Sequence, residues 1–259
     1  KRQQGAHRVA REGFRAFVIE MLSSKIKTSK AFRNHAKKTM QKISSLRSTE
    51  PMLINYLDDV YDSISYLVKM KKHVQLIKDY LKIREEEVLE ELKHEREKLA
   101  IFGADLVKNG DIILTHCHST SVMLSLKEAK KQGKRFKVFC TESRPRYQGH
   151  LTARELASYN IDITLIVDSN VGTIINKVKK VFVGADAVDK NGNLANKVGS
   201  RMIAELAKKR KRIPFYSLTE LYKYDKRRKI KIEQRDIKEV IGNRNFKGVK
   251  VLNLSLIHI

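Results

Sequence analysis

The sequence contains few cysteines and no long apolar stretch. Its two cysteines, Cys117 and Cys140, fall in no paired or metal-type spacing, which argues against a disulfide framework or a zinc site and favours the reducing cytoplasm. No apolar run approaches the roughly 20 residues that span a bilayer. The motifs GxGxxG and GxxxxGKS/T are also absent, so a dinucleotide-binding fold and a P-loop lack support. We therefore expect a globular cytoplasmic protein with no metal site and no membrane partner.

Positive charge is in large excess. The chain carries 54 Lys and Arg against 29 Asp and Glu, a formal net charge of +25 at pH 7. Such a charge favours anionic partners, either phosphorylated metabolites or nucleic acid. The only basic clusters, residues 208–212 and 226–229, lack the interleaved aromatics that single-strand binders use for stacking. Nucleic acid is therefore not the expected partner, and most of the charge is expected on a solvated surface.

The first 100 residues have helical periodicity. Phe14, Phe17, Val18 and Met21 stand at positions i, i+3, i+4 and i+7, on one face of a helix. A second series predicts a long helix packed on another helix or on a second subunit. Its members are spaced by four and seven residues: Ile77, Leu81, Val88, Leu92 and Leu99. The acidic residues 85–87 are expected on its solvent face. We predict an N-terminal helical domain over residues 1–100.

Short apolar runs alternate with helical segments from residue 101 onwards. Strands are predicted at five places: residues 111–115, 136–140, 163–167, 180–184 and 213–216. Helices are predicted between them, including one near residues 153–158 and one near residues 171–178. This alternation predicts an α/β class with a Rossmann-like, mostly parallel doubly wound sheet over residues 101–259. Ligands bind such sheets at the carboxyl ends of the strands. Because the chain lacks an initiating Met and residues 254–259 complete no recognisable element, we expect a fragment truncated at its C-terminus.

Two strand-end residues carry reactive groups. Cys117 lies near a predicted helix start between His116 and His118, and both features favour a thiolate that could act as a base. A cysteine beside a strand is more often an inert core residue, which is what we expect of Cys140. Asp186 follows an apolar run, where apolar surroundings raise a carboxyl pKa and allow proton donation. A loop aspartate or a helix cap is the alternative for Asp186.

An ordered set of motifs resembles a known superfamily. These motifs are Thr-His-Cys-His-Ser at 115–119, Glu-Ser-Arg-Pro-Arg-Tyr-Gln-Gly at 142–149, Val-Gly-Ala-Asp at 183–186, Asn-Gly at 191–192, Asn-Lys-Val-Gly at 196–199 and Pro-Phe-Tyr at 214–216. The superfamily includes ribose-1,5-bisphosphate isomerases, 5-methylthioribose-1-phosphate isomerases and the regulatory subunits of the translation-initiation nucleotide exchange factor. The resemblance is closest to the archaeal bisphosphate isomerases and implies that Cys117 and Asp186 are the catalytic pair. The non-enzymatic subunits commonly lack that pair.

The resemblance also implies a set of substrate contacts. They are Gly5, Ala6, His7, Arg47, Ser119, Thr120, Ser121, Asn196, Lys197 and Lys223. Three residues in two segments depart from the family pattern. In the N-terminal loop, Gln4 and His7 replace an arginine and a glycine of the family's Arg-Gly-Ala-Gly, and Ser48 replaces a proline after Arg47. Ser119 to Ser121 are suited to holding phosphate at a helix start.

The implied reaction converts ribose 1,5-bisphosphate to ribulose 1,5-bisphosphate without a metal or redox cofactor. The resemblance further implies activation by AMP and a homo-oligomer, from dimer to hexamer. Two alternatives remain open. The first is a 5-methylthioribose-1-phosphate isomerase, whose pocket would be apolar where a second phosphate would sit; Arg47, Lys197 and Lys223 favour the bisphosphate. The second is a non-catalytic translation-factor subunit that binds protein or RNA.

Overall fold

The computed structural model describes residues 6–46, 50–210, 212–225, 234–244, 246–254 and 256–259. The chain forms two compact units, one of residues 1–95 with 221–226 and the other of residues 96–220 with 227–259. The sequence places a single boundary near residue 100. The structure instead divides the chain within a long helix and returns a short later segment to the helical unit, because that segment packs by tertiary contacts that no local pattern encodes.

The helical unit is built from amphipathic helices that bury their apolar faces together. The helices are α1 (Ala6–Ser23), α2 (Ser29–Leu46), α3 (Pro51–Lys69) and the first part of α4 (Val74–Asp105). Pro51 occupies the first turn of α3, where its fixed φ suits a helix start and its missing N–H is not needed. The predicted face of α1, from Phe14 to Met21, lies in the core with Ile77 and Leu81 of α4. The periodicity of the α1 and α4 segments therefore identified the buried sides of these two helices.

The second unit contains the predicted mostly parallel sheet. Its elements are β1 (Asp111–Thr115), α5 (Thr120–Lys131), β2 (Phe136–Thr141), α6 (Gln148–Ser158), β3 (Asp162–Ile166), α7 (Val171–Ile174), β4 (Lys180–Val183), β5 (Ala187–Asp189), β6 (Leu194–Lys197), α8 (Ser200–Lys209), β7 (Phe215–Ser217), α9 (Lys238–Ile241) and β9 (Leu256–His258). The remaining strand, β8 (Tyr224–Asp225), belongs to the helical unit. The five strands of the main sheet are all parallel and follow the order β3-β2-β1-β4-β7.

The strand order reverses between β1 and β4. From β1 the chain proceeds outward through β2 to β3, and then β4 returns to the other side of β1. Connections leave the sheet in opposite directions at such a switch point, which opens a crevice at the carboxyl ends of the two strands. The segments after β1 and β4, which contain Cys117 and Asp186, therefore lie side by side.

A second, antiparallel sheet was not predicted. In it β6 is hydrogen-bonded between β5 and β9, with Asn196 opposite Ile257 and Lys197 opposite Leu256. The expectation that residues 254–259 complete no element is wrong, because β9 obtains its hydrogen bonds from a strand far away in the sequence. Among the helices of the described ranges, none is both long and apolar enough to cross a bilayer.

Candidate functional site

Cys117 is held by hydrogen bonds to both of its backbone groups. It follows β1 in a left-handed conformation, with φ of 70°. Its N–H donates to Ser143 Oγ at 2.7 Å, and its carbonyl oxygen accepts from Thr152 Oγ1 at 3.0 Å. The side chain is half-buried. The segments after β2 and within α6 thus fix the backbone from which the thiol projects.

The histidines on either side of Cys117 are engaged elsewhere. His116 is buried, with Nδ1 at 2.6 Å from Thr141 Oγ1 and Nε2 at 2.8 Å from the carbonyl oxygen of Val198. Because a carbonyl only accepts, Nε2 carries the proton. His118 Nδ1 lies 3.1 Å from Thr152 Oγ1. Burial lowers the pKa of both imidazoles, so both rings are neutral at pH 7.

The expectation that the imidazoles of these neighbours lower the Cys117 pKa is therefore wrong, although the backbone N–H of His118 does lower it. Burial raises the pKa of the Cys117 thiol to about 11, the nearby Lys197 ammonium opposes that rise, and the Asp186 carboxylate adds to it. Neutral imidazoles supply no positive charge to a thiolate, and desolvation disfavours the ionised sulfur. The resting thiol is protonated, and its ionisation depends on the charges of Lys197 and Asp186.

Asp186 reaches the cysteine loop through a close backbone contact. Its N–H donates to the Ala195 carbonyl at 2.9 Å, which ties the segment after β4 to β6. Two residues earlier, a Cβ on Gly184 would come within 2.4 Å of Ser119 Oγ. Only glycine allows the two segments to approach so closely. The Gly-Ala-Asp motif thus sets Asp186 beside the loop that carries Cys117, close enough for its charge to shift the thiol pKa.

Lys197 lies in β6 and is only 6% exposed. Its charge acts on Cys117 and on His116. The next turn passes directly over the His116 ring: Gly199 has a φ of 103°, and a Cβ there would lie 2.9 Å from His116 Nε2. Neighbouring Asn196 is buried and donates from Nδ2 to Ser200 Oγ at 2.9 Å. The Asn-Lys-Val-Gly motif therefore brings a buried cation to the thiol.

Sequence reasoning missed the carboxylate that organises the segment after β2. Asp168 accepts the backbone N–H of Ser143 at 2.8 Å with Oδ1 and that of Arg144 at 2.7 Å with Oδ2. Ser143 Oγ also lies 3.1 Å from Thr141 Oγ1. The network thus runs from Asp168 through Ser143 to the N–H of Cys117. The only sequence signal for Asp168 was its position directly after a predicted strand. That position alone does not distinguish a structural carboxylate from an ordinary loop aspartate.

Ser119, Thr120 and Ser121 lie at the start of α5 in three different environments. Ser119 is the N-cap and accepts the Val122 N–H at 3.4 Å. Thr120 is exposed. Ser121 is buried and donates from Oγ to Glu220 Oε1 at 3.1 Å. The hydroxyls of Ser119 and Ser121 are thus engaged within the protein, whereas the Thr120 side chain is exposed.

The remaining predicted substrate contacts belong to the helical unit or lie outside the residues that the structure describes. Ala6 is the first residue of α1, and His7 follows it half-buried. Lys223 ends a short 3₁₀ turn and is buried. Gly5 and Arg47 lie outside the described residues. The approach of these side chains to Cys117 stays a prediction.

Comparison with known proteins gives relatives over almost the whole chain. The ribose 1,5-bisphosphate isomerase of Methanocaldococcus jannaschii is 35% identical over 255 residues, covering 96% of this chain and 80% of the relative. The protein of the same name from Pyrococcus furiosus is 32% identical over 258 residues, with coverage of 96% and 79%.

Solved structures extend the likeness to other members of the fold. Translation initiation factor eIF-2B of Pyrococcus horikoshii superposes with a TM-score of 0.82 at 28% identity, covering 100% of this chain and 86% of that one. The 5-methylthioribose 1-phosphate isomerase of the same organism gives 0.76 at 26% identity, with coverage of 98% and 76%. The model of the initiation factor 2 subunit family matches residues 2–256. The chain belongs to this family.

Proposed function

We propose that this protein is a sugar-phosphate isomerase that converts ribose 1,5-bisphosphate to ribulose 1,5-bisphosphate. The observation that carries the proposal is the placement of a thiol and a carboxylate, Cys117 and Asp186, after the adjacent strands β1 and β4, with the charge of Asp186 acting on the thiol. The names of the archaeal relatives support this reaction.

The chemistry requires one acid and one base. A ribose with phosphate on carbon 1 does not open spontaneously to an aldehyde, so the ring oxygen must be protonated as the ring bond breaks. In the proposed mechanism Asp186 gives that proton, and the Cys117 thiolate removes the proton from carbon 2. The resulting enol phosphate then gives its carbon-2 hydroxyl proton to the Asp186 carboxylate and takes a proton at carbon 1 from the Cys117 thiol, which returns both groups to their starting forms. Carbon 2 is oxidised and carbon 1 is reduced within one molecule, so no external redox cofactor is consumed.

The raised pKa of Cys117 fits a pair that shares one proton. When Asp186 is ionised, its carboxylate raises the Cys117 pKa and holds the thiol protonated. When Asp186 is protonated, that contribution disappears while the contribution of Lys197, which lowers the pKa, remains. In the resting form the shared proton is on Cys117. In the productive form the same proton is on Asp186, which acts as the acid, and Cys117 is a thiolate.

Substrate binding and assembly complete the proposal. Lys197 would bind a phosphate or an enolate oxygen of the substrate, with further phosphate contacts from Ser119 and Thr120 at the start of α5. Ala6, His7, Asn196 and Lys223 are proposed as additional contacts. We also propose a homo-oligomer, activation by AMP and a cytoplasmic location.

A translation-factor role is the second candidate, and the superposition on Pyrococcus horikoshii eIF-2B favours it. The decisive experiment supplies purified ribose 1,5-bisphosphate and measures ribulose 1,5-bisphosphate, with and without AMP. A parallel assay uses 5-methylthioribose 1-phosphate. Turnover of the bisphosphate that Cys117→Ser abolishes would support the proposal. Turnover of neither sugar would leave the factor role, and preference for the methylthio sugar would reassign the substrate.

A further inference from the structure

A basic pocket lies in the helical unit, where α2 packs against α3. It has a volume of about 560 Å³, which is within the range of small-molecule sites. Its lining residues are Lys30, Arg33, Ser65, Tyr66, Val68 and Lys69. None of these residues takes part in the reaction proposed above, so the pocket needs an explanation of its own.

The charge of the pocket has one sign. Lys30 and Arg33 are one turn apart on α2, and Lys69 ends α3. No carboxylate is among its lining residues in the described part of the chain. Three cations facing one cavity repel each other, and an anion with more than one charge would relieve that repulsion.

Two side chains indicate what such an anion would meet. Arg33 Nε is buried and, within the described ranges, has no hydrogen-bond partner. A buried guanidinium N–H left unpaired is unfavourable, so an acceptor oxygen from a ligand would satisfy it. Tyr66 lies beside the cations and is 60% exposed, which leaves a ring face free for stacking.

We infer that this pocket binds a polyphosphate group, either as inorganic polyphosphate or as the phosphates of a nucleoside di- or triphosphate. The three cations and the Arg33 Nε–H would bind the phosphate oxygens through charge-assisted hydrogen bonds. In a nucleotide the base would stack on Tyr66. The cavity has the size of a small ligand, which favours this class over an extended nucleic acid.

Isothermal titration of the full chain in EDTA tests the inference with three probes: inorganic phosphate, tripolyphosphate and ATP. Tripolyphosphate and ATP should bind at least about tenfold more tightly than inorganic phosphate. Lys30→Gln and Lys69→Gln should each weaken tripolyphosphate binding roughly fivefold or more. Both residues are exposed, so these variants remain informative if Arg33→Gln folds poorly. Tyr66→Leu should weaken ATP binding and leave tripolyphosphate binding unchanged if the natural ligand is a nucleotide, and should leave both unchanged if it is inorganic.

Matched controls separate the pocket from the general positive field and from the proposed catalytic site. Lys38→Gln removes an exposed charge of α2 that does not line the pocket. Lys197→Met removes the cation beside Cys117. Neither should alter tripolyphosphate binding. Equal losses in Lys38→Gln and the pocket variants would overturn the inference, as would a loss confined to Lys197→Met or equal affinity for phosphate and tripolyphosphate. Because the readout is binding, the result is independent of isomerase activity.

Discussion

Cys140 lies within β2 and Cys117 lies two residues after the neighbouring strand β1, and the two thiols differ in what surrounds them. Burial raises the pKa of Cys140 to about 12, and no other cause contributes to that shift. The Cys140 Sγ lies 3.8 Å from the carbonyl oxygen of Gly149. Burial also raises the pKa of Cys117, to about 11, but there Lys197 and Asp186 act on the thiol in opposite directions.

This difference distinguishes a core thiol, which stays protonated, from a thiol whose ionisation can change during a reaction. At Cys140 only desolvation acts, and nothing that happens during a reaction would change it. At Cys117 the charges of Lys197, Asp186 and Asp168 also act on the ionisation, and a proton moving to Asp186 would lower the thiol pKa. A cysteine is thus better assigned by the charges that reach it than by its burial, since burial is common to both.

Removing the two thiols in turn should give the largest contrast. Cys117→Ser should keep the fold and lose at least about a hundredfold in turnover, because a hydroxyl is a far weaker base than a thiolate. Cys140→Ser is the matched control and should retain near-normal turnover. Steady-state assays of bisphosphate isomerisation would measure both. A comparable loss in the two variants would contradict the assignment of Cys117 as the base.

Asp186→Asn should reduce turnover by a similar order, because the amide cannot protonate the ring oxygen. It should also lower the Cys117 pKa, since the carboxylate that raises it is gone. The pH dependence of thiol alkylation, measured in a Cys140→Ser background so that one thiol reacts, would show the shift. An unchanged alkylation profile would mean that Asp186 does not act on this thiol.

Lys197→Met should move the pH profile of Cys117 alkylation to higher pH, opposite to the effect of Asp186→Asn. Lys197 lowers the Cys117 pKa, so its removal raises the pKa further. Because the productive pair holds one proton, the activity of the wild-type protein should fall as the pH rises through the thiol pKa of about 11, and in the variant this fall should occur at higher pH. Affinity for ribulose 1,5-bisphosphate should also fall roughly tenfold, through loss of a charge-assisted contact. An unshifted pH–rate profile would exclude an electrostatic role.

Of these variants, Asp168→Asn should have the smallest effect on the difference between Cys117 and Cys140. An amide can accept one of the two N–H groups that the carboxylate now accepts. We expect a loss of about 1–2 kcal/mol in the free energy of unfolding and a lower kcat with KM almost unchanged, because Ser143 would hold the Cys117 backbone less firmly. Denaturant unfolding and steady-state kinetics would test this. Cys140 alkylation should stay unchanged as the internal control.

Local pattern was sufficient for the elements whose contacts are local or repetitive. The parallel strands were predicted within about two residues, since short buried runs between helices are a strong signal. The helix after β2 begins at Gln148, earlier than the predicted start near Ala153, and residues 171–178 hold a short helix and a 3₁₀ turn in place of one helix. Helix limits in polar segments depend on packing that the sequence does not display.

The features that needed tertiary information were the antiparallel sheet and the electrostatics of the thiol. The residues of β6 and β9 that pair with each other are about sixty positions apart in the sequence, so neither strand's local sequence indicates its pairing. His116 and His118 stand beside Cys117 in sequence, which suggested a lowered pKa. Their charge is removed by burial that only the folded chain creates.

The left-handed backbone of Cys117 has a consequence for selection and engineering. Cys117 and its hydrogen-bond partner Ser143 have φ values of 70° and 61°, a region that residues with a side chain occupy at a penalty of about 1–3 kcal/mol each. Glycine at position 117 would remove that penalty together with the thiol. A screen for thermal stability alone would therefore enrich inactive variants at position 117. Selection for the reaction would instead keep cysteine there despite the backbone strain.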